Sequence, residues 1–130
     1  MIEKAINTLM ENDAGIGALA GNRIYPVILP QNATQPCITY QRDGSERSST
    51  FNSGQIDFVG ATFQIDAWGE SYSAARTLGD AIRSALMNYS GTVASVAINN
   101  IRMIADLDQY EDEPKLYRHS MSFIVWHTET

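Results

Sequence analysis

The side chains suited to chemistry are few: one cysteine, Cys37, two histidines, His119 and His127, and a carboxylate run, Asp106, Asp108, Glu111, Asp112 and Glu113. A nucleophilic site needs a nucleophile, a base and an orienting group. Cys37, His119 and an aspartate supply those residue types, but no G-x-S-x-G elbow and no cysteine-nucleophile signature surrounds them. Cys37 directly follows Pro36 and opens a strand-like segment, which suits a small packing residue. His119 alternates with Met121 and Phe123, the setting of a hydrogen-bonded core histidine rather than a base. The two histidines, on one strand, are about 26 Å apart, too far to share an ion. Cys37 has no CxxC partner, so no zinc site is expected. The carboxylate run lacks the glycine and terminal glutamate of an EF-hand loop and reads as a solvated acidic turn. Gly15-Ile16-Gly17 has no strand before it and no third glycine, so it is no dinucleotide cradle. The residues predict no enzyme, no metal and no cofactor.

What remains is a protein partner or a small ligand. The net charge of −6 argues against binding the phosphate backbone of nucleic acid and against an anionic membrane surface. No apolar run approaches the ~20 residues that span a bilayer. The start, MIEKAINTLMEND, lacks the basic and apolar regions of a signal peptide. A lone cysteine points to a reducing compartment. With 130 residues, 44% hydrophobic and 18% charged, one domain over 1–130 is expected.

The elements follow from period and punctuation. Ile2, Ala5, Ile6, Leu9 and Met10 make one buried stripe of a helix over 2–12. Asp13 caps a short helical turn through Ala20, and Gly21 suits its C-terminal end. Three of the four prolines fall between Gly21 and Tyr40, where they make a rigid extended connection. Strands are predicted over Cys37–Arg42, Val59–Trp68, Val96–Leu107 and Tyr117–His127. A helix over Tyr72–Asn88, capped by Ser71, turns Tyr72, Ala75, Leu78, Gly79, Ile82, Ala85 and Leu86 inward. In the strand 96–107, simple alternation puts Ile101, Met103, Ala105 and Leu107 on one face. The predicted fold class is α+β. It is a two-layer sandwich, with an antiparallel sheet of about four strands, two helices packed on one face and a long hairpin loop.

Two regions suit a partner. The polar segment 43–57 reads as a long loop, with Arg42, Arg47, Phe51 and Phe58 in or beside it as anchors. The second face of the sheet carries Trp68, Ile104, Ile124 and Trp126, apolar residues that a face open to water does not require.

One resemblance runs along nearly the whole chain. The collinear set comprises "GNRIYP" from Gly21, "LPQ" at Leu29–Gln31, "PCITY" at Pro36–Tyr40, "FQIDAWGESYSAAR" at Phe63–Arg76 and "RHSMSFIVWH" at Arg118–His127. It resembles the tail-completion, or tail-terminator, proteins of long-tailed bacteriophages. The resemblance implies a virion structural protein without catalytic residues, assembled in the host cytoplasm and placed at the head–tail junction. Its implied partners are further copies of itself in a ring, typically a hexamer, the major tail tube protein and the head connector or head-closure protein. Neither a membrane nor a sequence-specific nucleic acid is implied. On this basis the hairpin 38–68 and an edge strand 117–127 are expected to supply the two ring patches. The alternatives are a head-closure adaptor at the same junction and, from another class, a small-molecule-binding α+β module using Cys37 and His119.

Overall fold

The computed structural model describes residues 1–49, 57–112 and 115–129. Helix α1 spans Ile2–Glu11 and buries Ala5, Ile6 and Met10, the core of the predicted stripe. Helix α2 spans Ala14–Ala20, and the Asp13 carboxylate accepts the Ile16 N–H at 2.9 Å. Gly21 ends it at φ +59°, a conformation that costs glycine little. Helix α3 spans Tyr72–Leu86, with the Ser71 hydroxyl accepting the Ala74 N–H.

The strands are β1 (Ile24–Pro26), β2 (Cys37–Ser49), β3 (Asp57–Gly69), β4 (Gly91–Val93), β5 (Val96–Glu111) and β6 (Leu116–Glu129). They form a six-stranded sheet ordered β1-β2-β3-β6-β5-β4. All pairs are antiparallel except β1 with β2. The architecture is α+β as expected, but the described residues form six strands and three helices rather than about four and two. The extra strands are two three-residue edges, β1 within the proline-rich connection and β4 just ahead of β5. Ala94 and Ser95, both at positive φ, make the tight turn that folds β4 onto β5.

The order also corrects two expectations. The strand 117–127 is not an edge: β6 runs between β3 and β5. The stretch 43–49 is not loop but strand, paired rung by rung with 57–62 beyond a register shift between Arg42 and Gly44. Serine and threonine signal turns in isolation, yet a long partner strand satisfies their backbone equally well.

The helices cover one face. Ile6, Met10, Ile16, Leu78, Ile82 and Leu86 pack with Ile38, Phe63, Ile65, Ile101, Met121 and Phe123 in one core. Arg23 locks the proline-rich connection to this layer. It donates to the carbonyls of Leu19 at 3.2 Å and Pro36 at 3.0 Å, while its own carbonyl accepts the Ile38 N–H. The segment from Gly21 to Tyr40 thus ties α2 to β2.

Candidate interaction surface

A second register shift decides the chemistry of β5. Beyond Met103 the pairing with β6 slips by one residue, so that Asp106 opposes Met121 and Asp108 opposes His119. Simple alternation put Ala105 and Leu107 on the Met103 face; the bulge replaces them there with Asp106 and Asp108. His119 is 4% exposed. Its Nδ1 lies 2.6 Å from Asp108 Oδ1 and its Nε2 3.4 Å from Asp106 Oδ2. From α3, the Tyr72 hydroxyl donates to Asp108 at 2.9 Å, and Arg76 stands 3.8 Å away. Desolvation pushes the Asp108 carboxyl up. The hydrogen bonds from His119 and Tyr72, then the charges of His119 and Arg76, outweigh it and hold the group below its ordinary value. Gly79 closes the site from above, since a Cβ there would collide with the imidazole Cδ2.

This constellation has the residue types of a general base with its orienting acid, but not the access. Both ring nitrogens meet carboxylates and the carbon edge meets a helix. Cys37 is elsewhere: it pairs with Trp68 and packs with Trp68 and Leu116 on the opposite face, whereas His119 pairs with Ala67 of the helix-side core. Burial raises the Cys37 thiol pKa, against smaller opposing effects of the Gln35 hydrogen bond and of Arg23. No triad joins them. Among the described residues no group of three or more His, Cys, Asp or Glu side chains is arranged to hold a metal ion.

The face away from the helices is built from cross-strand pairs. The Trp68 indole donates to the Thr39 hydroxyl at 2.9 Å, and the Arg118 guanidinium lies 5.2 Å from its ring centroid. Arg118 also pairs with Glu111 at 2.7 Å and Asp66 at 3.5 Å, and donates to Gln109. Near the other end, Gly60 leaves room for the Trp126 ring, which a Cβ would approach within 2.8 Å. Trp68 and Ile124 are each 7% exposed, so this chain covers them itself; Trp126 is half-buried. Arg42 is exposed, 2.9 Å from Glu3 of α1. Arg47 and Phe58 pair by backbone in β2 and β3, and Phe51 lies outside the described residues.

The sheet edges were not foreseen. β1 covers β2 only at Ile38–Tyr40, and β4 covers β5 only at Val96–Ile98, extended by the Asn88 N–H to the Ile101 carbonyl. Among the described residues, Gln41–Ser49 of β2 and Arg102–Glu111 of β5 have no strand on their outer side. The exposure of Ile104, Leu107 and Tyr110 marks the second edge. The bulge turns Leu107 away from the helix-side face, opposite Ser120, and puts Tyr110 on the helix side, opposite Tyr117.

Two comparisons with known proteins found a match, one to a family and one to a fold. Residues 4–128 match the family described as Tail completion protein gp17. Among solved structures, the fold superposes on a chain of a particle described as "Virion of native gene transfer agent (GTA) particle". That match has a TM-score of 0.78 at 12% identity and covers 98% of this chain and 95% of that one. No curated protein sequence matches the chain.

Proposed function

This chain belongs to the Tail completion protein gp17 family, and from that premise we propose that it caps the phage tail tube as a ring of identical subunits and joins the tail to the head connector. The ring is a hexamer, and the protein acts at the head–tail junction of the virion after assembling in the host cytoplasm. It meets the major tail tube protein on one side and the connector or head-closure protein on the other. It is not an enzyme and uses no cofactor. The family match over nearly the whole chain carries this reading. The inward-facing, carboxylate-closed His119 and the high-pKa Cys37 on the opposite face support a structural role. A ring contact is heterologous, so each subunit presents two different patches.

Electron microscopy of particles made without this gene tests the reading. Overlong or unattached tails beside sealed, DNA-filled heads are expected. Heads that leak DNA beside normal tails would instead assign the protein to head closure. A finer test concerns the tip of the β2–β3 hairpin. Since 45–49 are paired strand, the segment to replace with a short Gly/Ser turn is 50–56. That variant is expected to keep its fold and lose tail joining, and undiminished infectious titre would remove the tip from the interface.

A further inference from the structure

We infer that neighbouring subunits meet along a stepped seam, in which β1 of one copy fills the open stretch beside β5 of the next, while β4 of that next copy fills the open stretch beside β2 of the first. This rests on the ring proposed above and names its contact, which is made by side chains. Three observations carry it.

The first is the stagger of the two sheet edges. Followed through the register, Ile24, Tyr25 and Pro26 of β1 stand level with Asp108, Leu107 and Asp106 of β5. On the far edge, β4 lies beside Ala97 and Ile98, which stand level with Ser48 and Arg47 of β2. Each short strand is therefore level with the open stretch on the opposite edge. Rotation about an axis along the strands keeps every rung at its height, so the step on one edge meets the notch on the other, as a heterologous contact requires. At both heights one short strand stands between β5 and the neighbour's β2. The same separation, two strand spacings or about 10 Å, then holds along the whole seam.

The second is the apolar surface at the lower step. Val27 and Ile28 leave β1 there, 62% and 73% exposed. The Val27 N–H is held by the Tyr40 carbonyl, and its φ of +63°, rare for a β-branched residue, turns the chain off the strand. On the facing edge, at the same height, β5 presents Ile104 and Leu107 at 56% and 52% exposure. Charged residues and the bulge keep this stretch of β5 from offering a regular ladder. Its carboxylates are engaged within the subunit, Asp106 and Asp108 with His119 and Glu111 with Arg118. What a neighbour meets is apolar side chain, and apolar side chain is what it brings.

The third is charge at the height between the two steps. Arg102 is exposed and has no ion-pair partner among the described residues. Its rung, through Ile124 and Thr62, ends at Gly44 of β2. Beside Gly44 stands Asp43, exposed and accepting the Gln41 amide at 2.9 Å. Neither β1 nor β4 reaches this height, so a gap of about 10 Å separates β5 from the neighbour's β2. An arginine on one side and an aspartate on the other bridge it.

The test uses a phage genome lacking the gene, complemented with variants. Ile28→Cys is combined with Ile104→Cys or with Leu107→Cys, and the particles are oxidised. Cys37 is buried, so wild type and each single substitution are expected to stay monomeric on a non-reducing gel. At least one combination is expected to give a ladder of covalent multimers. Particles with rings but without multimers from either combination overturn the seam and leave the ring standing. So do dimers from a single substitution, which mean two-fold pairing, or linkage to another virion protein. Absence of any ring in wild-type particles overturns the proposed function itself. Should the cysteine variants not assemble, a charge exchange decides. Arg102→Asp alone and Asp43→Arg alone are expected to unfold at the wild-type temperature and to reduce ring formation, and the two together to restore it. Wild-type assembly by both single variants, or no recovery in the double variant, overturns the contact.

Discussion

Under the helices the sheet is sealed by Phe63, Phe123, Ile38 and Ile101, all fully buried against α1, α2 and α3. On the opposite face Trp68, Asp66 and Ile124 reach 7% exposure in the company of strand residues and the 29–33 connection. The first face closes by shape: large apolar side chains from two layers fill one space. The second closes by pairing along the sheet, through an indole on a hydroxyl, a guanidinium over the indole, and carboxylates around the guanidinium. The difference teaches that stability resides mainly on the covered face. The other face and the open stretches of β2 and β5 are less completely covered.

The largest expected effect tests this division directly. Phe123→Ala removes a fully buried ring from between the layers and should cost ~3–5 kcal/mol of unfolding free energy. Trp126→Ala removes a larger ring from a half-buried place on the other face and should cost roughly 1–2 kcal/mol. Urea unfolding of both variants measures the contrast. Equal losses would mean that the second face is as much a core as the first.

A smaller and sharper contrast comes from two glycines, each making room for one ring. At Gly79 an added methyl meets an imidazole held by Asp106 and Asp108 beneath a helix, so nothing can yield. Gly79→Ala should cost ~1–3 kcal/mol of overpacking, of which the better helix propensity returns up to ~1 kcal/mol. At Gly60 the obstacle is the Trp126 ring, which has solvent to swing into. There the relief of glycine's chain entropy, about 0.5–1 kcal/mol, nearly offsets the clash. Thermal melting should show a clear drop for Gly79→Ala and little change for Gly60→Ala.

The sequence made these faces legible unequally. The stripe of α1, the Asp13 and Ser71 caps and the Ala61–Ala67 alternation announce the covered face, because each is a local signal of period or hydrogen-bonding chemistry. Tyr72 already breaks the pattern: its predicted place was inward, yet it is 50% exposed and bonds to Asp108. The Asp106–Asp108–His119 cluster was hidden because one extra residue near Ile104 exchanges the faces of everything after it, and nothing local marks that residue. The free edges were hidden for another reason. Which strand lies outside is a property of sheet order, and that order seats β6, the most apolar strand at its end, in the interior.

The smallest effect asks whether the hidden cluster contributes to stability. Asp108 is faced by His119 from β6 and by Tyr72 and Arg76 from α3, with Asp106 sharing the imidazole. Its folded-state pKa lies below the ordinary value of 3.8. A depressed carboxyl contributes stability that is fully present above its unfolded pKa and is lost as pH falls through the folded one. Because the side chain is 37% exposed, solvent screens the pairs, and the contribution should stay below ~1 kcal/mol. Wild type should therefore exceed Asp108→Asn in stability at pH 6, and the two curves should converge as pH drops below 4. Curves that stay parallel would show that hydrogen bonds an amide can also make, and not the carboxylate charge, hold β5 against α3.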